Sequence, residues 1–198
     1  MGRSRHLMAT AAASVTLFES ARRARSCEVS EAEEQAFRAF NDLPDKIHAP
    51  IWAVMQSGSL AAVFVAAGDM FRRGRPRAAT TALIAGTMVW GGVKAVKPLI
   101  GRGRPAHHLD QVSVRGKAQT GLGYPSGHSA VALTLALIAT RSASPAKRAA
   151  AVSVAGITAV ARMYVGAHLP HDVAGGLAIG LLCGRAANEV LSWEERTS

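Results

Sequence analysis

Five apolar segments punctuate the chain, near residues 49–68, 78–96, 126–140, 149–165 and 172–191, and leave few folds open. None alternates with the two-residue period of a half-buried strand. Each is about 15–20 residues long, suited to a short membrane-crossing helix. Gly, Ala, Ser and Thr recur in them, as close helix packing inside a bilayer requires, and alanine alone supplies 39 of the 198 residues. A water-soluble helical bundle is the competing arrangement, but consecutive helices without a polar face favour a bilayer. The expected fold is an all-α integral membrane bundle of five spans, or six if residues 6–20 insert as a short first helix.

Composition removes several function classes. Two cysteines, Cys27 and Cys183, cannot build a disulfide scaffold or a zinc ribbon. The chain carries 23 Lys and Arg against 13 Asp and Glu. Between Lys46 and Asn188 the only carboxylates are Asp69, Asp110 and Asp172. The bases there punctuate apolar runs instead of forming a stripe, so no nucleic-acid partner is expected. Arg72, Arg73, Arg75 and Arg77, after an apolar span, read as headgroup anchors. Residues 71–77 and 141–148 are both basic links on one side of an alternating topology. The positive-inside rule places them in the cytoplasm, so the links after the second and fourth segments face out. Arg102, Arg104, Arg115 and Lys117 weigh against that sidedness unless they face substrate.

The sequence divides into an N-terminal part (1–45), a membrane catalytic domain (46–192) and a tail (193–198). Residues 1–27 are basic at both ends around about twelve apolar residues, fewer than the roughly 20 of a full span. They read as an interfacial or poorly ordered arm, or as the short sixth span. Residues 30–42 form an amphipathic helix capped by Ser30, with Glu33 completing a capping box and Ala36, Phe37 and Phe40 on one face. The stretch from Asn41 to Pro44 ends it.

The unusual polar residues lie at the segment ends bordering the two outward links. Lys97 and Arg104-Pro105 follow the second segment. Pro125-Ser126-Gly127-His128 opens the third. Arg162, His168 and Asp172 span the fourth–fifth connection. Lys97, Arg104 and Arg162 bring three positive charges, of which arginine matches phosphate oxygens with a planar fork. Ser126 can cap a helix whose N-terminus binds an anion, and Gly127 lets that anion approach the backbone. Together they form a cradle for a transferring phosphoryl group. Asp172, four residues after His168, can fix the imidazole tautomer and free the other nitrogen to attack phosphorus. His128 can protonate the leaving oxygen. Fixed cations neutralise the phosphate, so no metal or other cofactor is expected.

These three stretches resemble the type 2 phosphatidic acid phosphatase (PAP2) superfamily, which includes the vanadium-dependent haloperoxidases. The family pattern K-x6-R-P, P-S-G-H, S-R-x5-H-x3-D appears here as Lys97 to Pro105, Pro125 to His128, and Arg162, His168 and Asp172. The one departure is Ala161, where the family usually has serine. The motifs occupy residues 94–176, and the helical similarity runs over about 48–191. The resemblance implies His168 as nucleophile, Asp172 as its orienting group and His128 as general acid. Lys97, Arg104, Ser126, Gly127 and Arg162 would bind phosphate. It also implies a membrane lipid phosphate as substrate: phosphatidic acid, phosphatidylglycerol phosphate, or a polyprenyl phosphate or diphosphate of the cell envelope. Vanadate should inhibit as a phosphate mimic. The expected location is a bacterial cell membrane, with the site on its extracytoplasmic face. A haloperoxidase-like enzyme on the same cradle and a non-enzymatic phospholipid-binding protein are the alternatives.

Other polar residues have plainer readings. His107, His108 and Asp110 read as solvated link residues with no visible partner for a metal, and His108, Asp110, Arg115 and Lys117 are candidates to line a lid. Lys94 is left outside the catalytic set, His171 is a rim residue, and Trp90 packs within its segment.

Overall fold

A computed structural model describes residues 2–197, and helices are the only regular elements among them. Its main elements are α1 (Gly2–Arg25), α2 (Glu31–Asn41), α3 (His48–Met55), α4 (Leu60–Arg72), α5 (Pro76–Ile100), α6 (Gly127–Ala139), α7 (Pro145–Tyr164) and α8 (Pro170–Thr197). Local chemistry explains most of their starts. Ser30, Ser59, Ser126 and Ser144 each accept a backbone N–H from the first turn that follows. Pro76 and Pro145 stand in first turns, where a missing N–H costs nothing.

Helix α6 is the hub, packed against α4, α5, α7 and α8. Val131, Leu135 and Ile138 of α6 share a core with Val63, Met70, Ala82, Val89 and Val93. On α8, Gly176 and Gly180 face α6 four residues apart. A Cβ would lie 2.3 Å from the Ser126 carbonyl oxygen at the first and 2.6 Å from that of Ala130 at the second. The small side chains let the two backbones touch.

The first apolar segment is not one helix. It breaks at the 3-10 turn Gln56–Gly58, and the halves Asp45–Gly58 and Leu60–Arg72 meet at 68°. The hydroxyl of Ser59 captures the Ala62 N–H and restarts the helix. Gly58 rests on α6, where a Cβ would sit 2.3 Å from the His128 carbonyl oxygen. Packing against the hub therefore bends a segment whose composition reads as continuous.

Residues 2–25 form a full helix rather than a poorly ordered arm. It lies along α8, buries Ala13 and Ala24, and links Ser20 Oγ to Tyr124 Oη at 3.1 Å. Glu19 pairs with Arg22 and Arg23 one turn later and supports the basic end. Helix α2 matches the expected span, but its capping box is only half made. Ser30 caps the Glu33 N–H, while the Glu33 side chain turns inward.

The two basic links lie together at one end of the bundle. Arg75 reaches the Ala139 carbonyl at 3.0 Å, and Arg141 pairs with Glu195. The motif residues lie at the other end. Among the described residues one helix is long and apolar enough to cross a membrane alone, or two if the bent pair counts as one span. Helix α6 is apolar but only 13 residues long. Large apolar side chains face outward on α1, α4 and α5, including Phe18, Val65, Ile84, Met88 and Leu99. A groove of about 1240 Å³ runs between α1, α5 and α8, from Arg77 to Ile100 and Tyr124.

Candidate active site

Three helix ends and the loop after α5 assemble the site. Helix α5 ends one turn after Lys97. Gly101, in the left-handed region at φ +77°, closes it by donating its N–H to the Lys97 carbonyl. The chain then turns back through Arg102 and Arg104. Helix α6 enters from Ser126, α7 delivers Arg162 in its last turn, and α8 carries Asp172 in its first.

His168 sits between two unlike surroundings and is only 3% exposed. Its Nδ1 lies 3.4 Å from Asp172 Oδ2, short of an aligned hydrogen bond. Its Nε2 lies 3.1 Å from Arg104 Nη1. A guanidinium can only donate. Nε2 therefore offers its lone pair, and the neutral imidazole carries its proton on Nδ1, towards the carboxylate. Burial first, and then the charges of Arg162, Arg104, Lys97 and His128, hold the His168 pKa well below its ordinary value. The ring is thus neutral near pH 7, with its Nε2 lone pair on the cationic side, where Arg104 engages it.

The three cations are held without carboxylates. Lys97 Nζ donates to the carbonyls of Leu122, Gly123 and Pro125 at 2.7–3.0 Å. Arg104 donates to the carbonyl of Ala167 at 2.8 Å and to that of Gly121 at 3.3 Å. Arg162 Nη1 meets Met55 Sδ at 3.1 Å, and its buried Nε has no partner. Among the described residues none of the three forms an ion pair. Burial lowers the Arg104 pKa, but a guanidinium stays charged in proteins.

Ser126 is fully buried, and its hydroxyl accepts from Ser129 Oγ at 2.9 Å. Its N–H donates to the Asp172 carbonyl at 2.8 Å, tying the start of α6 to that of α8. Gly127 is half-buried, with only Val93 near the place a Cβ would take. His128 follows on α6 and is among the charges felt by His168.

Two residues that the sequence points to for other reasons, Glu33 as half of a capping box and Arg102 as a base in the outward link after the second segment, complete the rear of the site. Arg102 is fully buried and forms a fork with Glu33, at 3.0 and 2.7 Å, while its Nη1 lies 3.4 Å from Asp172 Oδ1. Glu33 also accepts the His171 N–H at 3.0 Å, and His171 Nδ1 lies 2.7 Å from the same oxygen. One signal could have flagged Glu33. It shares a helical face with Phe37 and Phe40 at i+4 and i+7, where a carboxylate needs a buried partner.

The remaining polar residues stand apart. Lys94 lies over the Trp90 ring, 3.4 Å from its centre, and does not join the cations. Arg115 is a strut and not a lid. It bonds Asp45 and the carbonyls of Asn41, Leu43 and Tyr164, and stacks on Tyr164. His107 Nδ1 accepts the Arg104 N–H at 3.3 Å and so helps turn the loop.

An all-helical bundle bearing an imidazole and carboxylate pair opposite three cations defines the class. The PAP2 superfamily model matches residues 77–196, and the chain belongs to that superfamily. Over 99 residues it is 31% identical to the lipid A 4'-phosphatase of Porphyromonas gingivalis, a stretch covering 48% of this chain and 42% of that relative. Two crystal structures share the fold. Aquifex aeolicus LpxE superposes with a TM-score of 0.74 at 23% identity, over 82% of this chain and 98% of its own. A transmembrane PAP2 type phosphatidylglycerolphosphate phosphatase from Bacillus subtilis superposes with a TM-score of 0.64 at 21% identity, over 93% and 96%.

Proposed function

We propose that this protein is a metal-independent lipid phosphate phosphatase that works through a phosphohistidine at His168. The observation that carries this reading is the set Lys97, Arg104 and Arg162. Their hydrogen bonds end on carbonyls, an imidazole and a thioether, so no carboxylate neutralises them. One buried and two half-buried cations without an ion-pair partner are costly unless an anion joins them.

In the first half-reaction the cations take the phosphate oxygens, and Arg104 moves its N–H from Nε2 to one of them. The freed Nε2 lone pair forms the N–P bond as the P–O bond to the lipid breaks, and His128 gives the leaving oxygen a proton. Asp172 stabilises the positive charge that develops on the ring. In the second half-reaction water attacks phosphorus and yields a proton to His128. The N–P bond breaks, releasing phosphate and neutral His168.

Five or six spans are consistent with the outward-facing apolar side chains of α1, α4 and α5. The basic links at the far end support a site on the extracytoplasmic face of a bacterial membrane, by the positive-inside rule. The groove between α1, α5 and α8 offers a lipid chain an apolar wall that ends at Val96, Ile100 and Tyr124, in the last turns of the helix that carries Lys97. The named activity of the lipid A 4'-phosphatase relative supports a lipid phosphate as substrate.

The test is phosphate release in detergent with EDTA present, across phosphatidic acid, phosphatidylglycerol phosphate, a lipid A phosphate and polyprenyl phosphates and diphosphates. EDTA-resistant release that His168→Ala abolishes is expected. Release that persists in His168→Ala refutes the phosphohistidine, and no release from any of them refutes the phosphatase.

A further inference from the structure

We propose that Glu33, on a helix outside the family-matched stretch, is a positioning residue for the reaction: it holds Arg102 so that Asp172 stays available to His168. The inference rests on the phosphatase reading above. Three buried side chains form the chain of contacts, Glu33 at 5% exposure and Arg102 and Asp172 at 0%. Arg102 gives Glu33 two hydrogen bonds, at 2.7 and 3.0 Å, and gives Asp172 one at 3.4 Å. The guanidinium therefore belongs mainly to Glu33. Asp172 spends its other oxygen, Oδ2, on the Leu169 N–H at 3.0 Å and on the approach of His168 Nδ1.

The sharing matters because Arg102 and the imidazole compete for one carboxylate. Without the Glu33 charge, Arg102 would have Asp172 as its only acid partner. It would close the 3.4 Å gap, as a buried guanidinium with one acceptor must. Asp172 would then compensate Arg102 instead of the charge that develops on His168 during attack. With Glu33 in place, Arg102 is compensated from behind, and the trio carries one net negative charge towards the ring.

The same carboxylate also fixes the entry to α8. It accepts the His171 N–H, in the turn between His168 and Asp172, and faces His171 Nδ1. Glu33 is carried there by α2, whose Phe37 is fully buried against Ala159, Met163, Leu169 and Val173. Asn41 at the far end of α2 donates to the carbonyls of Ser113, Met163 and Tyr164. Helix α2 is thus seated on α7 and on the turn that bears the nucleophile.

The test compares Glu33→Gln, Arg102→Gln and the double variant with wild type in steady-state phosphate release. Glu33→Gln is expected to lower kcat about tenfold with KM unchanged, because no phosphate contact is lost. The double variant removes the competing cation and is expected to recover to within about threefold of wild type, a coupling between touching groups. Glu33→Asp keeps the charge but shortens the fork, and should fall between wild type and Glu33→Gln. It carries the comparison if Glu33→Gln does not fold. Phe37→Ala loosens the same helix without touching a charge, and adding Arg102→Gln should not restore it. A double variant no faster than Glu33→Gln, or a Glu33→Gln enzyme at the wild-type rate, overturns the proposal. A wild type that releases no phosphate overturns the phosphatase reading and this one with it.

Discussion

Asp172→Asn separates orientation from folding. The carboxylate is fully buried, with Oδ2 accepting the Leu169 N–H at 3.0 Å and facing His168 Nδ1 at 3.4 Å. The substitution keeps shape and volume and removes one charge. In the proposed reaction the imidazole becomes cationic as the N–P bond forms, and in Asp172→Asn the attraction of the carboxylate for that charge is lost. At an effective dielectric of 20 the Coulomb energy at this separation is roughly 5 kcal/mol. Arg102 already takes a share of the carboxylate, so a loss of about 3–4 kcal/mol is expected, or about 10²–10³-fold in kcat. Stability should move less. The Asn carbonyl can still accept the Leu169 N–H, and Arg102 keeps both bonds to Glu33. About 1–2 kcal/mol is the scale of a weakened charge-assisted hydrogen bond. The assay is lipid phosphate turnover in detergent alongside a thermal melt of the same preparation. A folded Asp172→Asn enzyme within tenfold of wild type would refute the orienting role. A melt that collapses in parallel would show instead that the carboxylate acts in folding.

Three further outcomes follow from the geometry. Burial, and then the neighbouring cations, hold His168 neutral well below its ordinary range. With the neutral ring as the proposed nucleophile, kcat/KM should keep its plateau to below pH 6.5, and Arg104→Gln should move the acid limb upward, read from a pH–rate profile. Burial raises the Glu33 pKa, but the bonds from His171 and Arg102 outweigh it and hold it at about 2 against 4.5 for the free side chain. Its stabilising contribution is therefore whole above pH 4.5 and is lost as pH falls through 2; melting temperatures should fall across that window in wild type and less in Glu33→Gln. Gly58→Ala places a Cβ 2.3 Å from the His128 carbonyl oxygen, whereas at Gly68 nothing lies within 4 Å. Gly58→Ala should cost about 1–3 kcal/mol in a denaturant melt and lower turnover by displacing His128, while Gly68→Ala should be neutral or slightly stabilising.

How far the sequence reveals this molecule depends on the range of the forces involved. The helical segments are legible because each lacks a polar face over a whole element. The convergence of Lys97, Arg104, Arg162, His168 and Asp172 at one end of the bundle is legible because their motifs stand at helix ends, in a recognisable order. The bend between α3 and α4 is not legible. Ser57-Gly58-Ser59 is ordinary in an apolar helix, and only the backbone of α6 pressing on Gly58 makes it a break. The Glu33–Arg102 pair is hidden for a related reason. Its members lie 69 positions apart, and each has a sufficient local explanation, Glu33 as half of a capping box and Arg102 as one more base in a basic loop.

The imidazole of His168 divides the site into halves with opposite electrostatic conditions. Behind Nδ1, the cation is matched: Glu33 and Asp172 share Arg102, and the one surplus negative charge lies against the ring. In front of Nε2, the cations are unmatched: Lys97, Arg104 and Arg162 face the lone pair with no acid among them. A matched front would bind phosphate weakly, because each cation would have to surrender a carboxylate first. An unmatched rear would leave Asp172 paired with the nearest cation and unable to support the ring. Bond formation to phosphorus needs both conditions within one side-chain width, and the polarity of a single imidazole provides the boundary. Exchanging the sides of that boundary, for example by placing a carboxylate beside Arg162 with Met55→Glu, should therefore weaken phosphate and vanadate binding while leaving the rear intact. Unchanged competitive inhibition by vanadate in Met55→Glu would show that the unmatched charge is not what binds the anion.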